Sequence, residues 1–104
     1  MNINKSTETI GDISFVVFQI EESDLNLTDA TELKKSIEME VNNQNLNIAI
    51  DLKSFNTINS TGLGILIGCL KIVNSVNGKF KLLNVNEKIF NIFKITKLHQ
   101  IFEF

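Results

Sequence analysis

The first twenty residues contain two strand-like segments separated by a turn-like pair. Residues 13–20, ISFVVFQI, are rich in β-branched and aromatic side chains, which favours a β-strand. The more polar residues 1–10, MNINKSTETI, are a second strand candidate. Gly11 and Asp12 lie between the two segments and are typical of a turn. The pattern therefore predicts an antiparallel hairpin.

A helical spacing of apolar residues follows the hairpin. The residues that share one helix face are Ala30, Leu33, Ile37 and Val41. Asn26 is suited to cap this helix, with Asp29 three residues later in a box-like arrangement. Asp29 and Glu32 lie in the first turn, where the helix dipole favours negative charge. We expect the helix to end near residues 42–45, NNQN.

The middle of the chain predicts a second strand–helix unit. Leu46–Leu52 reads as a strand that is buried on at least one face, and Ser60 to about Val76 as a helix. The residues expected to face the sheet are Leu63, Leu66, Ile67, Leu70 and Val73. Asn77-Gly78 should stop this helix, because glycine is the usual residue past a helix end, although an Asn-Gly pair can also close a hairpin.

The last quarter repeats the alternation. Residues 79–85, KFKLLNV, predict a strand, Asn86 could cap a short helix over residues 87–96, and residues 98–104, LHQIFEF, predict a last strand. Strands that alternate with helices favour parallel pairing, while the first hairpin is antiparallel. The predicted fold is therefore α/β, with a mixed sheet of about four or five strands covered by about three helices.

Composition narrows the class of protein. The 104 residues fit a single domain, and the net charge is −2 with no arginine and no lysine cluster, which argues against nucleic-acid binding. Cys69 is the only cysteine, so no internal disulfide can form and a reducing cytoplasm is expected. The N-terminus lacks the apolar core of a signal peptide, and no apolar run is long enough to insert into a membrane.

Residues 55–66, FNTINSTGLGIL, join a strand to a helix with two hydroxyls and two glycines. Gly62, Gly64 and Gly68 superficially resemble a dinucleotide-binding loop, but such a loop follows its strand directly, and the lysine of a phosphate-binding loop is missing. We instead expect Gly64 and Gly68 to let the helix pack closely on the sheet. Either Asn59 or Ser60 could be the N-cap.

A catalytic role for Ser60 has little support in the sequence. The serine lacks the G-x-S-x-G pattern of a nucleophile elbow, and the only histidine, His99, lies far along the chain. No cysteine, histidine or acidic residues cluster around His99 as metal ligands would. We therefore expect neither enzymatic activity nor a catalytic residue, a metal or a cofactor.

The segment from residue 48 to residue 68 resembles the STAS domain family, which is named for sulfate transporters and anti-sigma-factor antagonists. Asp51-Leu52 match the strand end of the family pattern, and Phe55 and Ile58 match its apolar loop positions. The motif positions that match are Ser60, Gly62, Leu63, Gly64 and Leu66. The resemblance extends over essentially the whole chain and implies a STAS-like fold without the C-terminal helix of longer members.

The resemblance also implies a function. Stand-alone bacterial members bind an anti-sigma factor that is a serine kinase, are released when it phosphorylates the first serine of the motif, and are reset by a serine phosphatase. Here the phosphoacceptor would be Ser60. The implied partner-binding residues are Asn26, Asn59, Ser60, Thr61, Gly62 and Leu63. The surface exposed by the missing helix could serve a partner or a homodimer.

Three residues depart from the family pattern. Asn59 and Asn26 stand where many members have aspartate, and Thr61 replaces a second serine. The departures at Asn59 and Asn26 keep one alternative open, which is a STAS scaffold that takes no phosphate, or a subunit beside a membrane transporter. The glycine-rich start of the second helix keeps another open, a small-ligand or nucleotide-binding module.

Overall fold

A four-stranded mixed sheet forms the centre of the fold. The computed structural model describes residues 3–21 and 27–104, with the backbone alone for residues 27–29. The strands are β1 (Ile3–Ile10), β2 (Ile13–Ile20), β3 (Asn47–Asp51) and β4 (Lys79–Leu83), in the order β1-β2-β3-β4. β1 and β2 are antiparallel, whereas β2, β3 and β4 are parallel to one another. The predicted mixed sheet and its opening hairpin are therefore confirmed.

Three helices supply the cover that the sequence pattern predicts. They are α1 (Leu27–Asn42), α2 (Ser60–Asn74) and α3 (Glu87–Ile95). All four residues predicted for the apolar face of α1 are buried. α2 buries Leu63, Leu66, Leu70 and Val73 as predicted and also Ile65, whereas Ile67 is only partly buried. The parallel strands are thus joined by helices, as crossover connections require.

The helices all pack on one face of the sheet. Side chains alternate between faces along a strand, so each strand contributes to two surfaces. The helix-facing side chains that join the main core are Phe18, Ile20, Ile48, Ile50, Phe80 and Leu82. On the other face Phe15, Val17 and Ala49 form a separate small cluster. The main core therefore lies between the helices and this face, and the loop from β3 to α2 leaves the sheet at the carboxyl ends of the parallel strands.

The turn from α2 to β4 lies at Asn77 and Gly78 as predicted, but the reason for the glycine differs from the prediction. α2 ends at Asn74, and the residue with left-handed backbone geometry is Asn77, with φ 58°, rather than Gly78. A Cβ on Gly78 would lie 2.1 Å from the carbonyl oxygen of Leu46. Glycine is needed at this position because another backbone passes close by, which a side chain would prevent.

The prediction of a C-terminal strand over residues 98–104 is wrong. Leu98–Gln100 form a 3₁₀ helix, and β pairing is limited to one parallel bridge between Lys81 and Glu103. The cause is aromatic packing: Phe102 is 5% exposed, and its ring centroid lies 5.2 Å from that of Phe93. Burying this ring in the core takes the chain away from an extended path along β4.

Candidate functional site

Ser60 begins α2, at the edge of the sheet to which the parallel strands point. The N-cap is Asn59, whose Oδ1 accepts a hydrogen bond of 2.8 Å from the backbone N–H of Gly62. The Asn59 carbonyl accepts a second bond of 2.9 Å from the N–H of Leu63. Of the two cap candidates that the sequence left open, the structure selects Asn59. Ser60 is the first helical residue, so its side chain is not needed for capping.

The hydroxyl of Ser60 is accessible. The residue is exposed, and no hydrogen bond joins its side chain to another residue in the described part of the chain. Thr61 beside it is half-buried. Helix capping therefore accounts for Asn59 but leaves the hydroxyl of Ser60 without a structural task. This is the geometry that a modifying enzyme or a binding partner can reach.

The first turn of α2 has no acidic residue of its own to offset the positive end of the helix dipole, whereas the first turn of α3 contains Glu87. The cap itself is a neutral amide, Asn59. Unpaired N–H groups and the helix dipole together favour negative charge at such a position. An anion attached to Ser60 would therefore meet attraction from its own helix.

The glycines at the start of α2 do not have the role that the sequence predicted for Gly64 and Gly68. A Cβ on Gly62 would lie 2.7 Å from Cγ1 of Ile58, a buried side chain of the loop before α2. Gly64 is exposed, and a Cβ there would contact nothing within 4 Å. Gly68 faces the side chain of Lys34 on α1. The expectation that Gly64 and Gly68 pack α2 on the sheet is thus wrong, because neither lies against a strand.

The loop between β3 and α2 is held in place by two buried side chains and by hydrogen bonds at its start. Phe55 and Ile58, the apolar loop positions of the motif, are buried with 2% and 7% exposure. Asp51, the last residue of β3, accepts bonds of 2.9 Å from the N–H of Lys53 and 3.0 Å from Nδ2 of Asn84. These contacts fix the path of the chain that leads to Ser60.

Asn86 has two roles, of which the sequence predicts only the first: it caps α3, and it holds the loop before α2. Its Oδ1 accepts from the N–H of Ile89 at 2.8 Å, which confirms the predicted cap of α3. Its Nδ2 also donates to the carbonyls of Phe55 and Asn56, at 3.0 and 3.2 Å. The available signal was topological: β3 and β4 are parallel neighbours, so the loops after them had to meet.

Of the other residues predicted for the site, two are buried and one lies outside the described residues. Gly62 and Leu63 are buried, Leu63 with 9% exposure, so they support the first turn of α2 from below. Asn26 and its proposed capping of α1 lie outside the described residues. Among the predicted residues that the structure describes, Asn59, Ser60 and Thr61 thus form the accessible part of the site.

The remaining reactive side chains stand apart from this site. Burial raises the pKa of the Cys69 thiol to about 12, with a smaller opposing effect of Lys34. His99 is half-buried in the 3₁₀ helix. Over residues 3–21 and 27–104, no three histidine, cysteine or acidic side chains gather as metal ligands would. None of the described helices is both long and apolar enough to cross a membrane.

Comparison with known proteins assigns the chain to a family. The sequence model of the STAS domain matches residues 4–104. A TM1081 homologue of Thermotoga neapolitana is 34% identical over 87 residues, which cover 83% of this chain and 77% of that protein. The anti-sigma-B factor antagonist of Bacillus subtilis is 37% identical over 60 residues, which cover 58% of this chain and 55% of the relative.

Solved structures extend the similarity to the whole fold. The solution structure of TM1081 superposes with a TM-score of 0.75 at 28% identity, over 92% of this chain and 75% of that one. The anti-sigma factor antagonist SpoIIAA in its unphosphorylated form gives a TM-score of 0.69 at 17% identity, over 95% and 85% of the two chains. The latter similarity concerns the fold alone.

Proposed function

The chain belongs to the STAS domain family, and from this premise we propose that it is an anti-sigma-factor antagonist that is switched by phosphorylation of Ser60. Its partner in this proposal is an anti-sigma factor with serine kinase activity, and a serine phosphatase restores the binding form. The name of the Bacillus subtilis relative supports the general role. The observation that carries the switch is the exposed hydroxyl of Ser60, which capping by Asn59 leaves free.

A phosphate on Ser60 is compatible with the fold. It adds about −1.5 to −2 charge units and three acceptor oxygens next to the N-terminus of α2. The first turn of that helix has no acidic side chain that would repel the phosphate. Since the dipole and the free N–H groups of the first turn favour an anion, the modified protein should stay folded.

The same phosphate would oppose a bound partner. Asn59, Ser60 and the preceding loop residues Asn56 and Thr57 are exposed, so a partner that reaches Ser60 also covers these polar side chains. A doubly charged group at the centre of such an interface costs desolvation and repels acidic groups of the partner. Binding is therefore lost while folding is retained.

The first experiment tests phosphorylation. The chain is incubated with ATP and each kinase-type anti-sigma factor of the source organism, and its intact mass is measured. We expect one added phosphate on the wild-type chain and on Thr61→Ala, and none on Ser60→Ala. An unchanged mass in the presence of a kinase that phosphorylates a control substrate would contradict the assignment of Ser60. If the factor still bound, the non-phosphorylated scaffold would be the better description.

The second experiment tests the switch. Ser60→Asp should weaken binding to the anti-sigma factor by at least tenfold, because it places a negative charge at the acceptor position. Ser54→Asp is the matched control, since Ser54 is an exposed serine of the same loop. Both variants should unfold within a few degrees of the wild type. Equal affinity of the two variants would show that charge at position 60 does not control binding.

A further inference from the structure

The outer edge of β1 is open in the described structure. β1 is the terminal strand of the sheet and pairs only with β2 among the described elements. At the opposite edge the chain shields β4, because the N–H of Leu82 donates to the carbonyl of Glu103 at 2.8 Å. Backbone groups on an unpaired edge are a template for a further strand. The two edges of this sheet are thus treated differently.

β1 lacks most of the features that keep edge strands from pairing. It is eight residues long, contains no proline, and pairs with β2 in an unbroken register without a bulge. The side chains from Asn4 to Thr9 are exposed. Only Lys5 and Glu8 carry charge. Natural sheets protect edges by shortening them, bending them or placing prolines and several charges on them.

We propose that β1 is a dimer interface, at which two copies of the chain pair their β1 strands antiparallel about a two-fold axis at Ser6. The two sheets then continue into one. This proposal does not depend on the function assigned to Ser60, because β2 separates β1 from β3 and the loop that follows it. The site around Ser60 stays accessible in the dimer.

The two-fold symmetry restricts the possible registers. Successive residues of a strand point their backbone groups to opposite edges, so the groups facing outward belong to residues of one parity. Both copies present the same residues outward, so the numbers of any two opposed residues add to an even sum. The two-fold axis therefore lies where one residue faces the same residue of the other copy. Near the middle of β1 this residue can be Lys5, Ser6, Thr7 or Glu8.

The charges select among these registers. An axis at Lys5 or Glu8 would place like charges directly opposite one another, which destabilises a strand pair. An axis at Thr7 would place Asn4 opposite the apolar Ile10. An axis at Ser6 opposes Asn4 to Glu8, so that an amide donor meets a carboxylate acceptor on both sides of the axis. Asn4 donates one N–H to Glu21 and keeps a second for this contact.

The space beside β1 fits the same register. A cleft of about 320 Å³ lies between β1, β2 and the end of α1, and Lys5, Thr7 and Glu40 contribute to its lining. Glu40 is 8% exposed and forms an ion pair of 3.6 Å with Lys5 of the same chain. With the axis at Ser6, Lys5 of the second copy lies opposite Thr7. It is thereby brought to the cleft that contains the Glu40 carboxylate.

The oligomeric state provides the first test. In sedimentation equilibrium the wild-type mass should rise with concentration from 11.7 kDa toward twice that value. In Thr7→Lys, the new lysine of each copy lies opposite Lys5 of the other copy. This repulsion should raise the dimer dissociation constant about tenfold. Thr9→Lys is the matched control, because Thr9 lies opposite Ile3, and it should change the constant by less than about threefold.

Disulfide trapping tests the register. Two copies of Ser6→Cys meet at the axis, where the spacing of opposed Cα atoms, about 4.5–5.5 Å, suits a disulfide. Mild oxidation should therefore link this variant into covalent dimers. Ser14→Cys, an exposed position on β2, should stay monomeric, and the native Cys69 is buried. A monomeric wild type at millimolar concentration, equal effects of the two lysine variants, or equal crosslinking of the two cysteine variants would overturn the proposal.

Discussion

Two asparagines of this chain make a matched pair for testing how the site is built. Asn59 and Asn86 both cap a helix through Oδ1, at 2.8 Å from the backbone N–H that they accept from. They differ in Nδ2: that of Asn86 donates to the carbonyls of Phe55 and Asn56, while that of Asn59 has no partner in the described part of the chain. Replacement by aspartate keeps the cap and removes only the Nδ2 donors.

The expected magnitudes follow from this difference. Asn86→Asp loses two hydrogen bonds, worth about 1 kcal/mol each, and turns a carboxylate toward two carbonyl oxygens. The dipole of α3 stabilises the new carboxylate at the helix N-terminus by about 0.3–1 kcal/mol. The net loss is about 1–2 kcal/mol, which corresponds to about 4–16 °C in the unfolding midpoint of a domain of this size. Asn59→Asp keeps its cap and gains the dipole term, so its midpoint should match or slightly exceed that of the wild type.

The assay is thermal unfolding of both variants at pH 7 and at pH 4. The carbonyls beside the introduced carboxyl at position 86 raise its pKa, because only the protonated form can donate to them, whereas the helix dipole lowers it. Because the two lost hydrogen bonds outweigh the dipole effect, the net pKa should lie above the unfolded value. The cost of Asn86→Asp is then present above the folded pKa and shrinks as the pH falls toward the unfolded pKa. If the two variants had equal unfolding midpoints at pH 7, the hydrogen bonds from Nδ2 of Asn86 to the loop before α2 would not stabilise the fold as argued.

Two further predictions concern α2. Gly62→Ala should destabilise the protein by about 1–3 kcal/mol, because the new Cβ would lie 2.7 Å from Ile58. Gly64→Ala should stabilise it by about 0.5–1 kcal/mol, because the space around Gly64 is open. Urea unfolding measures both changes, and equal effects of the two variants would contradict the packing described. Cys69 should react with a thiol reagent only after unfolding, because burial raises its pKa to about 12. Since the unfolded thiol ionises near 9.0 and the folded one does not, Cys69 should lower stability as the pH rises from 9 toward 12; Cys69→Ala should show a shallower decline, and an equal decline would argue against this burial effect.

Periodicity was sufficient to predict most of the elements. The apolar face of α1, the cap Asn86 and the two cap candidates Asn59 and Ser60 follow from the sequence because helix faces and N-termini depend on residues that are close in sequence. The segment after α3 contains a 3₁₀ helix although LHQIFEF has the composition of a strand. Its conformation is decided by the burial of Phe102 against Phe93, two residues on separate elements. Local patterns do not encode such tertiary contacts.

The glycines show the same limit within the site. Their spacing suggested close packing of α2 on the sheet, but the spacing does not say which neighbour each one meets. Gly62 meets Ile58 of its own loop, Gly68 meets a lysine side chain of α1, and Gly64 meets nothing. The second role of Asn86 was equally hidden, because it joins two loops that are adjacent only through the pairing of β3 with β4.

The structure gives a physical meaning to the amide at position 59, where the family often has an acid. Capping α2 requires one side-chain oxygen, and Asn59 supplies it with the geometry that an aspartate would use. The change from acid to amide therefore removes a charge beside Ser60 and leaves the architecture of the first turn intact. It also removes a repulsion that a phosphate on Ser60 would otherwise meet. Any effect of this departure on the proposed switch should thus arise in recognition by the kinase, and not in the folding of the acceptor site.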